Sequence, residues 1–110
     1  MTLQNRSIVK HKYGAKAVIK DGARFDSKIE MRYYNKLKLL QSSGEVLFFI
    51  RQVPFHLPGN IRYVADFMEF HSDGTVRVVD VKGYDTPMGK MKRKQVEAVY
   101  PVTIEIVTTV

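Results

Sequence analysis

Short apolar runs separated by polar punctuation organise this chain, and two periods stand out. Between Ser27 and Gly44 the apolar residues Ile29, Tyr33, Leu37 and Leu40 recur about every four positions, which places them on one helical face. Asp26 or Ser27 can cap the start, and Gly44 can end the helix in the left-handed conformation, so a helix is predicted over about 27–43. Val46 to Ile50 reads as a buried strand extending through Gln52 and Phe55 to Leu57, although Pro54 has no donor for perfect pairing. Pro58-Gly59-Asn60 is a turn, Ile61 to Phe70 a second strand, His71-Ser72-Asp73-Gly74 a turn, and Thr75 to Lys82 a third strand. After the loop Gly83 to Pro87, Met88 to Tyr100 reads as a basic helix that Pro101 helps to end, and Val102 to Val107 as a last strand. Upstream, Val18-Ile19-Lys20 and Ala23-Arg24-Phe25 flank Asp21-Gly22, a pair suited to a two-residue hairpin turn in which both residues take positive φ. The predicted order is a small N-terminal hairpin followed by α-β-β-β-α-β: an α/β (α+β) fold with a mixed central sheet flanked by helices.

With 110 residues, 45% of them hydrophobic, the chain makes one domain with a core and is not disordered as a whole. Residues 1–16 are polar and basic and read as a flexible arm, leaving 17–110 as the folded domain. The absence of cysteine removes disulfides, zinc fingers and thiol nucleophiles, and fits a cytoplasmic protein. No apolar run approaches the ~18 residues of a membrane span, and Met1 to Lys12 lacks the apolar stretch of a signal peptide. A net charge of +7 points to a polyanionic partner, nucleic acid first.

Candidate chemistry sits on the second and third strands. Aspartate is depleted in strand interiors, yet Asp66 interrupts Tyr63-Val64-Ala65 and Phe67-Met68, and Asp80 interrupts Val78-Val79 and Val81. A two-residue loop at Asp73-Gly74 would set the two aspartates on opposite faces. A three-residue loop Ser72-Asp73-Gly74, with Gly74 in the left-handed position, pairs 71 with 75 and sets Asp66 across from Asp80. The second register is expected. Two carboxylates that close repel unless a cation joins them, and oxygen donors without cysteine or clustered histidine favour Mg²⁺, with Mn²⁺ able to substitute. Lys82 shares the face of Asp80 and can polarise a water or neutralise charge on a phosphate. Glu30 has two readings: it completes a capping box with Ser27, or it faces the metal.

These residues, in this order, resemble the PD-(D/E)XK nuclease superfamily, whose restriction-endonuclease-like core is α-β-β-β-α-β. The acidic motif appears here as Ala65-Asp66 and Asp80-Val81-Lys82, with Glu30 on the first helix. The stretches Lys12-Tyr13-Gly14-Ala15-Lys16, Phe25-Asp26-Ser27-Lys28-Ile29-Glu30, Tyr63-Val64-Ala65-Asp66-Phe67 and Val79-Asp80-Val81-Lys82-Gly83 look like those of small phage-encoded nucleases associated with Holliday junction resolution. Ala65 stands where the superfamily name has proline, and Asp80 replaces the commoner glutamate. The resemblance implies that Asp66, Asp80 and the Val81 carbonyl ligate the ion, that Glu30 assists, that Lys82 is catalytic, and that Gln52 belongs to the site. A junction has two symmetric cleavage positions and the domain has one proposed site, so paired incision implies a homodimer.

Lys90, Lys92, Arg93 and Lys94 on the second helix, with Lys10, Lys12 and Lys16 on the arm, are expected to contact DNA phosphates. His11, His56 and His71 lack ligand spacing and read as surface or turn residues. The function expected is a metal-dependent, structure-selective DNA endonuclease acting on four-way junctions. The alternatives are a nuclease or nickase for flaps, forks or other DNA, and a non-catalytic nucleic-acid-binding module.

Overall fold

A computed structural model describes residues 17–110. The arm, with Lys10, Lys12 and Lys16 and with His11, lies outside the described residues. The Asp21-Gly22 turn joins β1 (Val18–Lys20) to β2 (Ala23–Phe25), and both turn residues take positive φ, 53° and 76°. Helix α1 (Lys28–Ser43) starts at Ser27, whose side chain accepts from the Glu30 amide, and stops at Gly44 in the left-handed conformation. Then follow β3 (Val46–Leu57), β4 (Ile61–His71), β5 (Val76–Val81), α2 (Pro87–Val99) and β6 (Ile104–Val107).

The long strands form one mixed sheet in the order β3-β4-β5-β6. Hairpin neighbours pair antiparallel, whereas β6 returns through α2 to pair parallel with β5. A helix is the usual way to make such a parallel return. The protein is thus an α+β fold of one mixed four-stranded sheet and two helices. Among the described residues no helix is long and apolar enough to cross a membrane.

Each helix covers its own core. Phe25, Tyr33, Leu37, Val46, Phe67, Val79 and Val81 pack together on the α1 side, and Phe55, Leu57, Tyr63, Ala65, Val78, Val96 and Ile104 on the α2 side. Val78 and Val79 are adjacent on β5 yet belong to different cores, so the helices lie on opposite faces of the sheet.

One irregularity governs the rest. Residues two apart on a strand normally share a face, but β3 and β4 break this rule together. The Arg51 guanidinium lies 3.9 Å above the Phe25 ring and Phe67 is in the α1-side core, whereas Val53 and Ala65 join the α2-side core. The change of side falls at Gln52 and Asp66. Gln52 takes φ 55°, and neither residue is among the β3–β4 ladder pairs, which run from Arg51↔Phe67 directly to Val53↔Ala65.

Candidate active site at a fork in the sheet

The β4–β5 turn takes the three-residue form: the His71 amide donates to the Thr75 carbonyl at 2.9 Å, the Gly74 amide donates to the His71 carbonyl at 3.0 Å, and Gly74 has φ 89°. The resulting register, Phe70↔Val76 through Phe67↔Val79, carries Asp66 opposite Asp80. There the ladder stops. In place of backbone pairing, the Asp66 amide donates to Asp80 Oδ1 and the Val81 amide donates to Asp66 Oδ2, each at 2.8 Å. The two carboxylates wedge the strands apart: β4 continues with β3, and β5 continues with β6 as far as Val81↔Val107.

The fork leaves one buried acceptor over. Asp80 is 1% exposed, and its Oδ2 has no hydrogen-bond partner. The nearest cation is Lys82 Nζ at 3.7 Å. The Lys82 backbone is held by its amide, which donates to the Val107 carbonyl at 2.9 Å. Burial pushes the Asp66 and Asp80 carboxyls up from the ordinary carboxylate range; the opposing backbone amides and the Lys82 charge pull each of them partly back.

Glu30 keeps half of its capping reading. Its amide donates to Ser27 Oγ at 3.2 Å, which is half of a capping box. The carboxylate does not return to the Ser27 amide. Oε1 accepts from the Asp26 amide at 3.3 Å, and Oε2 accepts from Arg51 at 3.3 Å and from Gln52 Nε2 at 3.4 Å. Glu30 is 3% exposed, and its carboxyl is pushed up to about 7, first by burial and then by the charges of Asp66 and Asp26. The Asp66 charge thus reaches Glu30, and Gln52, with its left-handed backbone, donates to the same carboxylate.

Asp26, a possible cap by its sequence position, adds a further charge: it raises both Glu30 and Asp66, while its own carboxylate accepts from Arg24 at 3.0 Å. The four basic residues of α2 do not form one face. Lys90 and Lys94 are exposed and Lys92 is half-buried, but Arg93 is 8% exposed and donates to Asp85 at 2.6 Å. This corrects the expectation that Arg93 is a phosphate contact on the surface. A step of three to four residues along a helix returns to one face, and Arg93 lies three before the buried Val96. Arg93 instead faces inward, where its charge pulls the Asp80 carboxyl down.

His71 is also not a surface residue. Its Nε2 lies 2.8 Å from Glu69 Oε1, and the Tyr33 hydroxyl donates to Glu69 Oε2. Glu69 is fully buried on β4, three residues from Asp66. Sequence reasoning passed over it, although an acid between Met68 and Phe70 breaks strand preference as Asp66 does.

Tested against a divalent ion, the fork offers oxygen donors only, and one of them is a buried carboxylate oxygen without a hydrogen-bond partner. Among the described residues, however, no three His, Cys, Asp or Glu side chains converge to hold an ion. An ion here would rest on Asp66 and Asp80, with backbone oxygen and water completing its shell. That donor set suits Mg²⁺, which keeps several waters.

The sequence pattern of the family described as Protein of unknown function (DUF1064) matches residues 10–108, and the chain belongs to that family. No curated protein and no solved structure matches it.

Proposed function

We propose that this member of the DUF1064 family is a Mg²⁺-dependent, structure-selective DNA endonuclease with a restriction-endonuclease-like core, similar to the small phage-encoded Holliday junction resolvases of the PD-(D/E)XK superfamily. One observation carries the reading: two facing carboxylates hold a sheet open, one buried oxygen of Asp80 has no hydrogen-bond partner, and the Lys82 ammonium stands 3.7 Å from it. Asp66 and Asp80 would hold the ion with the Val81 carbonyl, and Glu30 would assist through its proximity to Asp66. Bound there, a divalent ion supplies Lewis-acid stabilisation of the phosphate. Lys82 neutralises charge on the phosphate as water attacks phosphorus, or polarises that water. Gln52 and Arg51 fix the Glu30 carboxylate, and Lys90, Lys92 and Lys94 supply phosphate contacts. The protein would act in the host cytoplasm as a homodimer, one site for each of two symmetric incisions.

The test is a labelled four-way junction incubated with Mg²⁺, with Mn²⁺ and with chelator, beside linear duplex, flap and fork at equal salt. Symmetric nicked duplexes are expected with either metal and none with chelator, and Asp80→Ala should bind without cutting. Equal cutting of linear duplex would remove the junction preference and keep the nuclease. Preferential cutting of flaps or forks would move the activity to those substrates. A second reading, a non-catalytic DNA-binding module, is favoured by the lack of a three-ligand acidic group among the described residues. Metal-insensitive binding with no incision in Mn²⁺ would select it.

A further inference from the structure

Helix α2 covers only part of its face of the sheet. Glu69 and His71 meet on the α1 side of β4, where Tyr33 reaches Glu69, so Phe70 between them points to the other side. Met68 points there too and packs against the α2-side core. The strand register then sets two cross-strand rows on that side: Ile50, Met68 and Val78, and next to them Phe48, Phe70 and Val76. The first row is closed at its β5 end, where Val78 is 2% exposed. The second is open: Phe48 is 47% and Val76 53% exposed, and Ile50, at the β3 end of the first row, 46%. The Phe48 and Phe70 rings lie face to face, with centroids 4.3 Å apart and 13° between their planes, and present one flat aromatic surface. All six residues are apolar, on a chain of net charge +7. Contiguous exposed apolar surface of this kind marks an interaction site.

We propose that the open row Phe48-Phe70-Val76, with Ile50, is the face through which two copies of this chain pack about a two-fold axis. Charge selects this partner. The six residues hold no cation for a phosphate, so the face does not suit DNA. Two copies of a +7 chain repel where their basic surfaces meet, and least where neither surface carries charge. Shape agrees, because a sheet face packs on its like at about 10 Å with interdigitating side chains. The edge of β3 is a poorer template for a second copy: it is irregular between Val46 and Phe48, has no donor at Pro54, and takes a left-handed residue at Gln52. The half-exposed apolar side chains offer roughly 300 Å² a copy, which serves as the apolar core of an interface whose polar rim completes the ~800 Å² a side of a stable pair. The same patch serves both copies, as a two-fold axis requires. This names the surface of the homodimer proposed above, and rests on that reading only for the part the dimer plays in paired incision.

The experiment is sedimentation velocity on the full chain without DNA, over a dilution series through about 1–100 µM. The wild type should sediment as two chains. Phe48→Lys and Val76→Lys should each raise the dimer dissociation constant about 30-fold or more, the loss expected at the centre of an interface. Phe48→Leu should keep the dimer. Leu39→Lys adds the same charge at a 72% exposed position on α1 and should also keep it. Circular dichroism should show every variant folded; because the substituted side chains are about half exposed or more, the fold does not depend on them. A wild type that stays a single chain across the series overturns the proposal. So does a dimer that survives both lysine variants on the sheet, or one that Leu39→Lys breaks equally. A dimer broken by Phe48→Lys in a protein that cuts no DNA in Mn²⁺ supports the face and overturns the nuclease. Symmetric junction cutting by a protein that remains a single chain even on DNA overturns the face and keeps the nuclease.

Discussion

Two buried acids on neighbouring strands, Glu69 on β4 and Asp80 on β5, have opposite fates. Glu69 is fully buried and well supplied: Tyr33 donates to one oxygen, His71 lies 2.8 Å from the other, and Arg77 stands 3.9 Å away, itself paired to Glu105. The same contacts push the Tyr33 hydroxyl far up, because burial and the adjacent Glu69 both oppose its ionisation. At the fork, Asp80 is equally buried, yet one of its oxygens has no hydrogen-bond partner, and it shares its surroundings with Asp66 and, through Asp66, with Glu30. Burial is common to both regions. What separates them is satisfaction: a buried acid with partners cross-links the fold, and one left short of partners is poised to take up something else.

Exchanging the damage between the two regions tests that distinction. The largest effect is expected from Asp80→Ala, which should lower Mg²⁺-dependent cleavage by about 10³-fold or more, since the metal accounts for several kcal/mol of transition-state stabilisation, while lowering stability less than Glu69→Ala does, because only the Asp66 amide loses its acceptor and an unfavourably buried charge is removed. Glu69→Ala should do the reverse. It strands the buried Tyr33 hydroxyl and removes the partner of His71, and should cost about 3 kcal/mol in urea unfolding. Comparable losses of stability in the two variants would erase the contrast.

The pH dependence sharpens it. Glu30 holds its proton more tightly folded, with a pKa of about 7, than unfolded, near 4.5. In that window the native state binds more protons, so this group's contribution is fully present below about pH 4.5 and is lost as pH rises through about 7. Asp66 and Asp80 are raised in the same direction. Glu30→Gln should therefore stabilise the metal-free protein at pH 8 by about 2 kcal/mol and change little at pH 4. The figure is below the ~3 kcal/mol that the full shift represents, because a glutamine amide does not reproduce every contact of the protonated carboxyl. Thermal melts at the two pH values measure it, and a variant equally stabilised at both would remove the electrostatic explanation. The smallest effect concerns Gln52. Its φ of 55° is unfavourable for a side chain-bearing residue, so Gln52→Gly should gain up to about 1 kcal/mol while cleavage falls. A gain in stability without a fall in activity would leave the Gln52 side chain outside the site.

The elements were legible because their signals are local. Ser27 and Gly44 bracket α1, Asp21-Gly22 makes its turn, and Ser72-Asp73-Gly74 sets the register that brings Asp66 opposite Asp80. Lys82 near Asp80 followed from strand alternation. The change of face at Gln52 and Asp66 was not legible, because a strict period of two runs straight through it and only the competition between two cores decides which side Val53 and Ala65 join. Arg93 looked like part of a basic face because charge in a sequence carries no direction; the helix turns it inward to Asp85. Asp26 and Glu69 carried usable signals, an extra acid beside a cap and an acid inside a strand, and neither identifies its partner.

By itself the sequence determined the order of helices and strands, the hairpin register and the facing pair of aspartates, since caps, turns and alternation act over a few residues of backbone. The tertiary structure alone decided which buried acids are satisfied. Hydrogen-bond partners such as Tyr33 for Glu69, Arg51 for Glu30 and the strand-separating amides for Asp66 and Asp80 come from distant segments, and whether each oxygen finds one depends on how those segments pack.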